Sequence, residues 1–139
     1  MADNGRLRDL LARMGEELGH LRRLSALTAD DLQRDPDRLP GVKYRFVVAI
    51  EAAIDASRLF ALSAGLRAAT SFADSFVVLG ESGHLDADLV EHLQDMARFR
   101  NLLVHGYAVV DDARVVEILK TQLDDLDEFR RSLARAVTD

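Results

Sequence analysis

The sequence predicts an all-α fold, a bundle of about five helices. Three observations carry this. Apolar residues recur three or four positions apart through almost the whole chain. Only 2 prolines and 8 glycines interrupt its 139 residues. No segment alternates apolar and polar residues as a strand does beyond Ala108-Val109-Val110, which is too short for a sheet.

Each element has its own signal. Leu7, Leu10, Leu11, Met14, Leu18, Leu21 and Leu24 form one stripe at period 3.6 and predict an N-terminal helix over 5–27. Pro36 and Pro40 forbid a continuous helix, so 28–41 reads as a connector, with one short helical turn after Thr28. The segment 42–64 is apolar on most of its circumference, which predicts a central helix ending at Gly65. Ser71 with Asp74 three residues later resembles a capping box and opens a short helix over 72–80, closed by Gly80 and Gly83. Asp86 caps a helix over 87–104, with Leu89, Leu93, Met96, Ala97 and Val104 inward. Asp111 or Asp112 caps a last helix to about Val137, whose stripe runs through Val115, Leu119, Leu123 or Gln122, Leu126, Phe129 or Arg130, and Leu133. The chain is thus one domain over 1–139: the N-terminal helix, the connector, and a bundle core over 42–137.

Composition narrows the function. Hydrophobic residues make up 48% and charged residues 30%, enough for a packed core. The net charge is −6, with 24 acidic against 18 basic residues, so the chain is no general nucleic-acid coat and any such role is local. From Thr70 to Ala97 there are six acidic residues and no basic one, a solvated face that repels phosphate. The absence of cysteine excludes disulfides, thiolate zinc sites and a cysteine nucleophile. No apolar run approaches the ~20 residues of a membrane span and no signal peptide is visible, so the expectation is a soluble, cytoplasmic protein with no membrane contact.

The densest polar cluster runs from Arg98 to Tyr107, at the end of the fourth helix and in the turn that leaves it. Arginine offers a rigid fork of donors that suits phosphate. Histidine moves protons near neutrality. Arg100, Asn101, His105 and Tyr107 would together suffice for metal-independent RNA cleavage. Against this, a histidine in a last turn often only satisfies free carbonyls, and an arginine one turn earlier is often an ordinary ion-pair partner. Arg100 and His105 also stand roughly 140° apart around a regular helix, at ~100° per residue. Either the helix ends near His105, with Gly106 releasing the backbone, or the two side chains meet across a dimer axis.

The stretch Arg100-Asn101-Leu102-Leu103-Val104-His105-Gly106-Tyr107 resembles the signature of HepT-like proteins in the HEPN superfamily: Arg, usually Asn, then His after four intervening residues, one residue, and Tyr. Ala49 to Asp55 is similar to that family's central helix, Thr70 to Phe76 followed by Leu85 to its short third helix and turn, and Asp111 to Leu119 to the start of its last helix. The likeness covers about residues 42–135. It implies an all-α homodimer and the toxin of a type VII toxin–antitoxin pair. The implied activity is a metal-independent endoribonuclease, with no cofactor, whose catalytic residues here are Arg100 and His105 in a cleft between subunits. The implied partner is a MntA-type nucleotidyltransferase antitoxin that transfers AMP to the motif tyrosine, Tyr107. Two positions depart from the family: Phe99 stands where Gly is frequent, and Gly106 where a larger residue is usual.

The remaining candidates are secondary. Glu51 and Asp55 lie one turn apart on the central helix, as arginine partners, orienting groups for His105 or a wet strip; a metal site there lacks a Glu-x-x-His partner. Asn101 and Glu51 are the expected supporting residues. Asp86-Ala-Asp88 matches the Asp-x-Asp of nucleotidyltransferases only superficially and is explained by capping. His20, His84 and His92 read as surface residues; Tyr44 and Arg45, at the start of the central helix, could approach the cleft, but core packing and snorkelling are the simpler account. The alternative from another class is a non-catalytic HEPN module that partners a nucleotidyltransferase or binds nucleotides, with Arg100 as an anion hook.

Overall fold

The computed structural model describes residues 4–106 and 110–138 of the chain, and all of its regular structure there is helical. Seven helices follow in order: α1 (Asn4–Ser25), α2 (Ala29–Arg34), α3 (Arg38–Ser63), α4 (Asp74–Glu81), α5 (Ala87–His105), α6 (Asp112–Thr121) and α7 (Leu123–Thr138). α3 is the axis of the bundle and packs against every other helix, most extensively along α1. Among the described residues no helix is long and apolar enough to cross a membrane. Of Ala108-Val109-Val110, the first two lie outside the described residues.

The leucine stripe of α1 does what its period predicts: Leu7, Leu11, Met14, Leu18 and Leu21 are buried against α3 and α7. Glu17 is buried on the same face and takes two hydrogen bonds from Arg45 Nη1, at 3.4 and 3.2 Å. α1 stops at Ser25, where Lys120 of α6 donates to the Ser25 carbonyl at 2.9 Å, a cation on the negative end of the helix. Thr28 then caps α2 by accepting the Asp31 N–H at 3.1 Å, so the connector does hold a short helix.

α3 begins at Arg38 rather than Val42. Pro40 is its third residue, where a backbone N–H has no helical partner in any case, so the ring is accommodated and not disruptive. The other end closes as expected: Gly65 sits at φ +72 and the Leu66 N–H reaches back to the Ala61 carbonyl at 2.9 Å. In α4 the expected capping box is displaced. Ser71 Oγ accepts the Asp74 N–H at 3.0 Å, but the Asp74 carboxylate returns to the Thr70 N–H at 2.9 Å, and the helix starts at Asp74. Gly83, at φ +83, ends it; Gly80 lies inside the helix, pressed against Val90 of α5.

Two edge-to-face aromatic pairs tie the bundle. Phe76 of α4 meets Phe129 of α7 at 5.5 Å, and Phe46 of α3 meets Phe99 of α5 at 5.3 Å. Val104 does not point inward as expected; it is exposed, and Leu103 and Phe99 take the buried face of the last two turns. Tyr44 is likewise no core residue but 65% exposed, whereas Arg45 beside it serves Glu17. The expected single last helix breaks at Gln122, whose φ is −123, into α6 and α7. Leu119, Leu123 and Leu126 keep their spacing across the break and are all buried, so periodicity alone does not reveal it.

Candidate functional site

The site lies at the C-terminal end of α5, where the Phe46–Phe99 contact holds that helix against α3. The next residue, Arg100, turns across to α3. Its Nε and Nη2 both donate to Glu51 Oε2, at 2.9 and 2.6 Å, and its Nη1 donates to Asn101 Oδ1 at 3.1 Å. The guanidinium carbon stands 4.9 Å from the centre of the Phe72 ring, which comes from the segment before α4. Three elements therefore fix one arginine: α3 through charge, α5 through its own amide, and the α3–α4 connection through a ring face. The Arg100 side chain is only 13% exposed, which strengthens its charge-assisted bonds to Glu51.

Of the two acidic residues on α3, Glu51 reaches Arg100 and Asp55 does not; Asp55 is exposed and bonds to none of the described residues. Phe72 carries a second cation: the Arg58 guanidinium carbon lies 5.0 Å from the same ring centre, and Arg58 Nε donates to Ser75 Oγ at 3.3 Å. Neither Arg58 nor Phe72 stands out in the sequence as a site residue. The available signal was the seven-residue spacing from Glu51 to Arg58, which places both on one face of α3.

His105 is the last residue of α5, and Gly106 follows as its C-cap, donating its N–H to the Leu102 carbonyl at 2.8 Å. The helix thus ends where the first of the two expected arrangements put it. The His105 ring is exposed and hydrogen-bonds to none of the described residues. Among the described residues nothing joins it to Arg100, in keeping with the ~140° offset. Tyr107 lies outside the described residues. Asp86 is the N-terminal boundary residue of α5 with extended backbone and makes no side-chain cap bond, so it caps by conformation alone. His92 faces Asp125 at 3.2 Å, His84 stacks edge-on against Phe60 at 4.7 Å, and His20 pairs with Arg23. Among the described residues no three His, Asp or Glu side chains converge as metal ligands.

The arrangement offers a fixed, partly sheltered cation and, five residues on at the end of the same helix, an exposed imidazole with no bond to the described residues. Four large apolar side chains are exposed among the described residues: Tyr44 and Leu62 on α3, and Leu102 and Val104 on α5, the last two in the same stretch as Arg100 and His105.

A family model described as ribonuclease HepT-like matches residues 14–133. Among solved structures, the chain is similar to a tri-AMPylated HEPN toxin of Shewanella oneidensis in complex with an MNT antitoxin, at 20% identity, covering 93% of this chain and 96% of that one, with a TM-score of 0.85. It is also similar to a chain of a toxin–antitoxin complex with AMP-PNP, at 20% identity over 91% and 95% of the two chains with a TM-score of 0.82. YutE of Bacillus subtilis, described as a cytosolic protein of unknown function, matches at 16% identity over 94% and 90%, with a TM-score of 0.79. Comparison with curated proteins yields no match.

Proposed function

This chain belongs to the HepT-like ribonuclease family, and from that premise we propose that it is the toxin of a toxin–antitoxin pair, a metal-independent endoribonuclease acting through Arg100 and His105. The observation that carries the reading is the contrast at the end of α5: Arg100 is oriented on three sides, while His105 is exposed and uncommitted. A group that stabilises charge works best when preorganised. A group that moves protons must reach the substrate.

The chemistry is an in-line transesterification. The 2′-oxygen of a ribose attacks the neighbouring phosphorus as its proton passes to a base. The bond from phosphorus to the 5′-oxygen breaks, and that oxygen takes a proton from an acid. Arg100 neutralises the charge gathering on the phosphate oxygens, and Asn101 and Glu51 hold its fork in place. Base and acid are both needed, and this helix end supplies one imidazole per chain. A two-fold homodimer supplies both. The exposed Leu102 and Val104, on the same last turns of α5, offer such a pairing apolar surface beside the two residues.

Control operates at Tyr107, two residues beyond His105. The partner is a MntA-type nucleotidyltransferase. It joins the Tyr107 oxygen to the α-phosphorus of a nucleoside triphosphate, breaks the α–β anhydride bond and releases pyrophosphate. The added AMP blocks the RNA path and puts a phosphate where Arg100 would meet substrate.

The test is expression of wild type and His105→Ala, with and without the neighbouring nucleotidyltransferase gene, following growth and RNA integrity. Wild type alone should arrest growth and degrade RNA, His105→Ala should do neither, and Tyr107→Phe should stay toxic when the antitoxin is present. RNA cleavage that survives His105→Ala would overturn the assignment. Mass spectrometry of the co-expressed protein checks the modification, and an unmodified Tyr107 alongside full neutralisation would overturn that step.

A further inference from the structure

The Phe72 ring serves two arginines, not one. With guanidinium carbons 4.9 and 5.0 Å from its centre, Arg100 and Arg58 lie within about 10 Å of each other. Two like charges so close ordinarily each find a carboxylate. Arg100 has Glu51. Arg58 has none among the described residues; its one hydrogen bond is from Nε to Ser75 Oγ, at 3.3 Å, which leaves both Nη groups as free donors. The nearby acids are already engaged or turned elsewhere. Asp74 and Glu81 are held by Arg67 at 2.7 and 2.8 Å, and Asp55, which lines a hollow with Arg58 and Arg6, does not bond to it. Arg58 is exposed, and it stands two turns along α3 from Glu51, on the same face.

We propose that Arg58 is a second phosphate-binding residue of the site, gripping the RNA backbone at a nucleotide flanking the one whose phosphate Arg100 holds. The proposal rests on the ribonuclease reading above for the identity of the ligand. Phe72 then acts as a common platform: by contacting both guanidinium groups it keeps them within about 10 Å of each other, close enough for one single strand to meet both. The fork of Arg58, anchored at Nε, presents Nη1 and Nη2 to that phosphate. The chain as a whole, at −6, does not attract RNA, so a local pair of oriented arginines must supply the grip.

The test measures binding of a single-stranded RNA oligonucleotide across a series of potassium chloride concentrations, in a His105→Ala background so that the probe stays intact. Arg58→Gln should weaken binding roughly tenfold and reduce the slope of log affinity against log salt by about one. Arg58→Lys should restore the slope but not the full affinity, because the charge returns without the fork. Cleavage is then measured with His105 restored, and Arg58→Gln should raise KM with little change in kcat. Unchanged slope and affinity in Arg58→Gln, with wild-type cleavage intact, would overturn the proposal and leave the ribonuclease reading standing. A wild type that binds but never cleaves, with the slope still lowered by Arg58→Gln, would overturn the ribonuclease reading and sustain Arg58 as a phosphate contact. Thermal unfolding of each variant separates lost packing on Phe72 from lost binding: a slope change in a variant with unaltered melting supports the proposal.

Discussion

Arg100 gives two donors to one oxygen of Glu51, at 2.9 and 2.6 Å, while the other Glu51 oxygen takes no hydrogen bond from the described residues. A phosphate arriving at Arg100 therefore competes with a carboxylate that also aims the guanidinium. The two effects oppose each other, and Glu51→Gln separates them. RNA should bind several-fold more tightly as the competing charge disappears, while kcat falls about tenfold as the fork loses its fixed orientation. Binding and single-turnover cleavage measured side by side check this. A loss of both affinity and rate would mean that Glu51 only holds the fold.

His105 is exposed and bonds to none of the described residues. His105→Ala should change unfolding free energy by less than about 0.5 kcal/mol, as surface replacements do, yet slow cleavage by roughly 10²–10⁴. Urea unfolding and a cleavage assay on the same preparation compare the two. A large stability loss would mark it as structural.

Gly80 is packed too closely for even a small side chain. A Cβ there would stand 2.7 Å from Val90 Cγ2. Alanine is favoured over glycine inside an exposed helix by roughly 0.5–1 kcal/mol, but valine is stiff at χ1 and Val90 is buried. Gly80→Ala should therefore destabilise by about 1–3 kcal/mol, and adding Val90→Ala should make the Gly80→Ala step far less costly. Chemical denaturation of the two single variants and the double closes the cycle.

Arg67 grips both Asp74 and Glu81, and with Thr70 it holds the Asp74 carboxyl well below the usual carboxylate range. A carboxyl depressed in the folded state contributes stability that is complete above its unfolded value, ~3.9, and is lost as pH falls toward the folded one. Asp74→Asn should melt below wild type at pH 7, and the gap should narrow below about pH 4. Melting curves at pH 7 and pH 3 measure the gap at each end, and an equal gap at both would show that the carboxylate charge is not what matters.

Much of the fold is legible in the residues because its determinants are local. Leu7, Leu11, Met14, Leu18 and Leu21 declare one buried face of α1 by spacing alone, and Gly65 and Asp111 mark their helix ends by backbone and capping chemistry. What escaped depends on neighbours. Pro40 reads as a breaker until its place in a first turn is known, and the turn at Gln122 leaves the apolar spacing untouched. Val104 and Leu103 are adjacent and equally apolar, and only the packing of α5 on α3 decides which is buried. At the site, Glu51 was visible as a candidate partner because an arginine was expected nearby. Its engagement with Arg100 spans 49 residues of sequence, and the sharing of Phe72 by Arg58 and Arg100 joins three separate segments, which no periodicity encodes.

α3 is a ruler as well as an axis. Its 26 residues rise about 1.5 Å each, so Glu51 and Arg58 stand about 10.5 Å apart along it. Its rotational phase is pinned near one end, where Arg45 locks onto the buried Glu17 of α1. Removing or inserting one residue between 45 and 58 would swing everything beyond it by ~100°, taking Arg58 off the Phe72 ring. Changes of length in this lineage should therefore collect in the connection between α3 and α4, and the interval from Arg45 to Arg58 should keep its residue count even where its side chains drift.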